Sequence, residues 1–356
     1  MPHATTNLTN TKAPLKRRPV IATQTGKTSE GQDPFLSHLL PNTQRRNDYD
    51  VTNRVKTTDP AAVNRAVNRI FLRLYPKAST RVLDRAFKDL ARLHHGEYPG
   101  YLACDVTYHN LQHTLDVTLA MARLMDGHER SPERPDPLGP KLFRLGVLTA
   151  LFHDIGYLRR VTDTRAKNGA EYTLKHITRG ARFVQTYLGK LGMAKMAAVA
   201  KRIIHFTGYE RPVETIRLPD PQFRMLGNLL GTADIIAQMS DRCYLEKCRD
   251  NLYPEFVAGG LASGSGKEKN GKMQFSSAVD LLMKTPSFYL TAIARLNFKL
   301  GAVHRYAVVH FKGQNLYLET IEKNVRFATM VGDRGDFSLL RRAPPTAPTN
   351  SVRRKT

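Results

Sequence analysis

Two stretches of this chain carry more potential chemistry than their surroundings. TYHNLQHTLDV spans residues 107–117 and LFHDIGYL spans 151–158. On a helix, residues i and i+4 share a face, so His109 and His113 are expected to project together, with Asp116 at i+3 from His113. Paired neutral imidazoles share a metal ion, or one binds the metal while its neighbour handles a proton. One packing or capping histidine beside one solvated histidine accounts for the pair equally well.

The second stretch narrows the choice. In GVLTALFHDIGYL, residues Val147, Leu148, Ala150, Leu151, Phe152, Ile155 and Leu158 make a segment apolar on nearly every side, hence buried. A buried aspartate carries a large desolvation cost unless it is paired or bound to a cation. His153 and Asp154 are adjacent, so on a helix they point about 100° apart. They reach one ion only where the helix ends, and Gly156 predicts that end. Further on, MLGNLLGTADIIAQMSD sets Asp234 among Leu229, Leu230, Ala233, Ile235 and Ile236. It reads as a second buried carboxylate of the site or as half of a helix-to-helix ion pair. Asp241 reads as the N-cap of the following helix.

The order His113, His153-Asp154, Asp234 resembles the H…HD…D pattern of the HD superfamily of metal-dependent phosphohydrolases. YHNLQHTLDV is similar to the YHNxxHxxDV signature of class I cyclic-nucleotide phosphodiesterases, and the likeness spans roughly 105–260. The resemblance implies that His113, His153, Asp154 and Asp234 ligate metal, that Asp154 bridges to a second ion, and that His109 is the general acid at the leaving oxygen. Binuclear members place two more histidines between the doublet and the last aspartate, which would be His176 and His205 here; Glu171 and Glu210 are further candidates. The chain also departs from the pattern. The late glutamine that grips a purine has no match in the same context. Tyr157 stands where a related bacterial group carries a phosphate-facing lysine, so Arg159 or Arg160 is expected to supply that charge to the substrate.

Mixed His and Asp ligands suit Zn, Mn, Fe or Co, with Mg at a more oxygen-rich position. The expected activity is hydrolysis of a phosphodiester, foremost a cyclic nucleotide, by metal-activated water. A phosphohydrolase of mono-, tri- or bis-phosphorylated nucleotides is the alternative. From another class comes a non-catalytic protein with a vestigial HD site that holds RNA or a nucleotide on a basic body.

The elements that must position these residues read as helices. PAAVNRAVNRIFLRLYP opens on a proline suited to a first helical turn, and STRVLDRAFKDLARLHHG runs from a Ser/Thr cap to Gly96. Helical patterns follow at about 109–126, 140–155, 169–189, 193–206, 220–238, 241–257, 276–284, 287–302 and 305–330. No hairpin signal appears, so the expected fold is all-α, and by resemblance an HD-type, phosphodiesterase-like bundle over 59–332. A disordered leader (1–58) and a disordered basic tail (333–356) are expected to flank it. GGLASGSGKEKNGK at 259–272 fails as a phosphate loop, because Leu261 stands at the first glycine position, and it reads as a flexible surface loop.

The net charge of +24 lies mostly in the body: residues 61–336 hold 41 basic against 26 acidic side chains. Such a body attracts anions, nucleotides and RNA included. Cys104, Cys243 and Cys248 have no paired spacing and read as structural thiols of a reducing cytoplasm. No run reaches the roughly 18 apolar residues of a membrane span, and the polar N-terminus lacks a secretory h-region.

Overall fold

A computed structural model describes residues 45–262 and 275–345, all within one structural unit, Leu40–Thr356. Among the described residues it is all-α, about 65% helix without strands. Helix α1 (Pro60–Leu74) starts where Asp59 accepts the Ala61 N–H at 2.8 Å, and it buries Val63, Val67, Ile70 and Phe71 at helical spacing. Helix α2 (Arg81–His95) ends on Gly96 in the left-handed conformation, φ 74°. The expected hydroxyl cap at its start is not made: Thr80 is itself helical and bonds the Asp84 carboxylate.

The centre of the fold is α3 (Leu111–Arg130), buried around its whole circumference from Gln112 to His128. It packs against α1, α4 (Gly139–Leu151), α7 (Pro221–Met239) and α12 (Tyr306–Phe311). Helices α5 (His176–Lys190) and α6 (Ala194–Ile203) form a pair, and α5 also leans on the short 3-10 turn Ile155–Tyr157. Three further regions are more broken than their periodicity suggests. The 241–257 pattern becomes α8 (Tyr244–Lys247), a π-turn (Cys248–Leu252) and α9 (Tyr253–Ala258). After α10 (Ala278–Met283) and α11 (Thr285–Ala294) comes a second π-turn, Arg295–Lys299. The 305–330 pattern splits into α12 and α13 (Leu316–Arg334), because Lys312 turns left-handed (φ 61°) and Asn315 caps a new helix.

The expected flanks need correction. Residues 45–58 of the leader are packed, not disordered. Asp50 accepts the N–H groups of Thr52, Arg54 and Val55 and pairs with the buried Arg123 of α3, and Arg45 donates to the Ser240 carbonyl at 2.9 Å. The tail is also ordered through residue 345: Leu340 is buried, and Arg342 bonds the Arg242 carbonyl and the Glu246 carboxylate. The rest of both flanks, and loop residues 263–272, lie outside the described residues. No helix among those described is long and apolar enough to cross a membrane.

Candidate metal centre

Asn110 sets the start of α3. Its backbone is extended, its Oδ1 accepts the His113 N–H at 3.2 Å, and its Nδ2 donates to the Thr107 carbonyl at 2.7 Å. The cap makes His113 the third residue of the helix, where its ring is buried. It also leaves His109 outside the helix, so the i, i+4 argument for the pair does not hold. The two rings meet across the cap instead, 5.6 Å apart and at 87°.

Helix α4 ends at Leu151, so the His153-Asp154 doublet sits in a turn, and adjacent side chains can converge there. Asp154 Oδ2 lies 3.0 Å from His153 Nε2 and 3.2 Å from His113 Nε2. From α7, Asp234 Oδ1 stands 3.4 Å from His113 Nε2 and 3.8 Å from His153 Nε2. The other oxygen of Asp154, Oδ1, faces His176 Nε2 at 3.5 Å. His153 and His176 each place Nδ1 on a carbonyl, Ala150 at 2.8 Å and Thr173 at 2.6 Å. Their Nδ1 atoms therefore donate, and their Nε2 lone pairs are aimed at the carboxylates.

Gly156 lets α5 come this close. A Cβ there would lie 1.8 Å from the His176 carbonyl oxygen and 2.8 Å from the Gly180 nitrogen. Any larger residue would push the start of α5, and His176 with it, away from the doublet.

The donor set fits a cation. His153 Nε2 and Asp154 Oδ2 are fully buried without a hydrogen-bond partner, although they lie 3.0 Å apart. Two acceptors facing each other are joined only by a proton or a metal ion. With bonds of about 2.1 Å to one ion, neighbouring ligand atoms fall about 3–3.5 Å apart, which matches the contacts of Asp154 with both imidazoles. The electrostatics point the same way. Burial opposes charge on His113, but the carboxylates of Asp154 and Asp234 overcome it and lift its pKa to about 10. Burial alone would raise the Asp154 carboxyl, yet the neighbouring imidazoles hold it well below the usual range. The centre thus demands positive charge, which protons satisfy when metal does not. His176 is pushed the other way, chiefly by burial, and so stays a neutral donor.

Around this core His109 is held by Glu255, whose Oε2 lies 2.7 Å from His109 Nδ1 and whose Oε1 accepts the backbone N–H groups of Tyr108 and His109. Asn251, one turn before Glu255, exchanges hydrogen bonds with Thr107 at 3.0 and 3.2 Å. The ring of Tyr157 packs near-parallel against His109 (4.5 Å) and against His176 (4.3 Å), whose own rings are tilted at 31° and 6.2 Å apart. Glu255 was not legible as a site residue. Its one local signal is a carboxylate set inside the apolar YPEFVA.

Several expected residues are used elsewhere. His205 is buried, with Nδ1 on Glu210 at 2.7 Å; it stands outside the tight group His113, His153 and Asp154, as Asp234 and His176 also do. Glu171 caps its own turn by accepting the Lys167 N–H at 2.7 Å. The arginines assigned to a phosphate have other partners: Arg159 binds Asp105 and the Ala166 carbonyl, and Arg160 lies 5.0 Å over the Tyr101 ring. Asp116 interacts with Thr57, Asp241 and Lys247; burial and the Asp241 charge raise its pKa to about 7. Asp241 is not the N-cap of α8, whose cap position is Cys243; it accepts the Cys243 N–H at 2.7 Å in the turn before that helix.

The chain matches no family model, no curated protein and no solved structure.

Proposed function

We propose that the chain is a metal-dependent phosphohydrolase of phosphoric esters, with a nucleotide phosphodiester as the leading substrate. The observation that carries this reading is the division of Asp154, one oxygen towards His113 and His153 and the other towards His176. A carboxylate divided in this way is suited to bridge two cations. His113, His153, Asp154 and Asp234 would hold the first, with Asp154 and His176 turned to a second. Divalent ions bound there supply an acidified water and clamp phosphoryl oxygens.

The chain's own residues account for the other requirements. His109 gives Nδ1 to Glu255, which fixes the ring and leaves Nε2 to move a proton at a leaving oxygen. The Tyr157 ring packs against both His109 and His176 and helps to fix the two imidazoles. The basic body favours an anionic ligand. A cyclic nucleotide is supported by the YHNxxHxxDV likeness. The contact of His176 with Asp154 supports a mono-, tri- or bis-phosphorylated nucleotide as the second reading. A vestigial binding site fits less well, because a buried carboxylate without its cation is costly to retain. Turnover of bis(p-nitrophenyl) phosphate in added Mn, compared between the intact protein and His153→Ala, tests the reading.

A further inference from the structure

The loop after His205 carries an aromatic ring that the metal centre does not use. Tyr209 is 58% exposed, while its chain neighbour Phe206 is fully buried. The loop is fixed from two sides. Phe206 presses on α7 so closely that a Cβ at Gly231 would lie 2.5 Å from its carbonyl oxygen, and one at Gly227 2.7 Å from its ring. Gly231 is three residues before Asp234, so the loop leaves the protein on the helix face that carries Asp234. From the π-turn Arg295–Lys299, Arg295 donates Nη2 to the carbonyls of Phe206 and Gly208, at 2.8 and 2.7 Å. The same guanidinium lies 4.1 Å from the Tyr209 ring centroid. Glu210 turns to the opposite side, onto His205. The Tyr209 hydroxyl is within electrostatic reach of both Arg295 and Asp234.

An exposed tyrosine backed by a pinned guanidinium presents a flat, rigid π-surface to solvent. Bases stack on such rings whatever their sequence identity, since every base has a π-face, and the cation behind the ring adds to the attraction. We propose that Tyr209, held by Arg295, is the base-stacking platform of the substrate site and selects phosphate ligands that carry a nucleobase over those that do not. This assignment rests on the phosphohydrolase reading for the place of the phosphate.

The test is a ratio of affinities, measured by calorimetry on the full chain supplied with Mn. Adenosine 5′-monophosphate is compared with ribose 5-phosphate, which has the same phosphate and sugar without the base. In the intact protein the nucleotide binds more tightly. Tyr209→Ala lowers that preference about tenfold, as loss of one stacking contact should, and Tyr209→Phe and Tyr209→Trp keep it within about twofold. A preference unchanged in Tyr209→Ala, or lost to the same degree in Tyr209→Phe, overturns the platform. So does an intact protein that binds both ligands equally. Absence of hydrolysis of methyl p-nitrophenyl phosphate by the intact protein would instead remove the hydrolase reading, and the binding ratio would still judge the platform.

Discussion

Glu255 and His109 lie 146 residues apart in sequence, yet the Glu255 carboxylate stands 2.7 Å from His109 Nδ1 and also accepts the backbone N–H of the same residue. A histidine held by both ring and backbone is oriented for one task. If that task is proton delivery, His109→Ala lowers kcat by about 10²- to 10⁴-fold on an alkyl phosphodiester. It costs far less on bis(p-nitrophenyl) phosphate, whose leaving group needs little protonation. Glu255→Ala lowers kcat with little change in KM, and the double variant is no slower than His109→Ala alone, because both act through one ring. Steady-state kinetics on the two substrates reads all three statements. Additive losses would separate Glu255 from His109.

Gly156→Ala probes the approach of α5 to the doublet. The new methyl meets the His176 carbonyl at 1.8 Å, a backbone clash that only movement of α5 relieves. Overpacking of this kind costs about 1–3 kcal/mol, and the movement withdraws His176 from Asp154. Chemical denaturation should show the loss of stability. Metal titration should show the weaker ion of a pair lost before the stronger. A variant of wild-type stability would mean that the turn and α5 are not in register as described.

Acid stability follows from two buried groups outside the candidate ligand set, His94 and Asp50. Neither ring nitrogen of His94 has a hydrogen-bond partner, and burial lowers its pKa to about 3. The unfolded chain therefore binds this proton first, and stability falls as the pH drops from about 6.5 towards 3. By pH 5 the loss is about 2 kcal/mol at about 1.4 kcal/mol per pH unit. His94→Leu should flatten that limb of a urea-unfolding series.

Asp50 acts over a lower window. Burial raises its carboxyl, but Arg123 and three backbone N–H donors outweigh burial and bring the pKa to about 2. Its contribution is present above about pH 3.8 and is lost as the pH falls through 2. Asp50→Ala leaves Arg123 buried and unpaired, and should cost about 3–5 kcal/mol at neutral pH. Limited proteolysis within 45–58 would report the same release.

The sequence was informative where a polar residue interrupted a strong apolar pattern. His153-Asp154 at a helix end, with Gly156 after it, is legible because the cost of burying a carboxylate demands a reason. Asp234 stands out on the same ground. The position of His109 was harder to read, since the asparagine between the two histidines is a cap, and a cap takes the residue before it out of the helix. Glu255 depends on contacts that fold back across 146 residues, beyond the reach of any local pattern. Residues 45–58 lack periodicity because side chain-to-backbone bonds around Asp50 order them. Arg159 and Arg160 follow the doublet in sequence, but adjacency does not show that Asp105 and Tyr101 engage them.

The central claim is that His113, His153, Asp154 and Asp234 hold a catalytic cation. The most direct measurement is metal content by mass spectrometry, taken with turnover of bis(p-nitrophenyl) phosphate on the same samples, for the intact protein and Asp154→Ala. At least one transition-metal ion per intact chain is expected, with loss of both metal and turnover in the variant. An intact, folded protein that takes up no metal from Mn or Zn and hydrolyses nothing would contradict it.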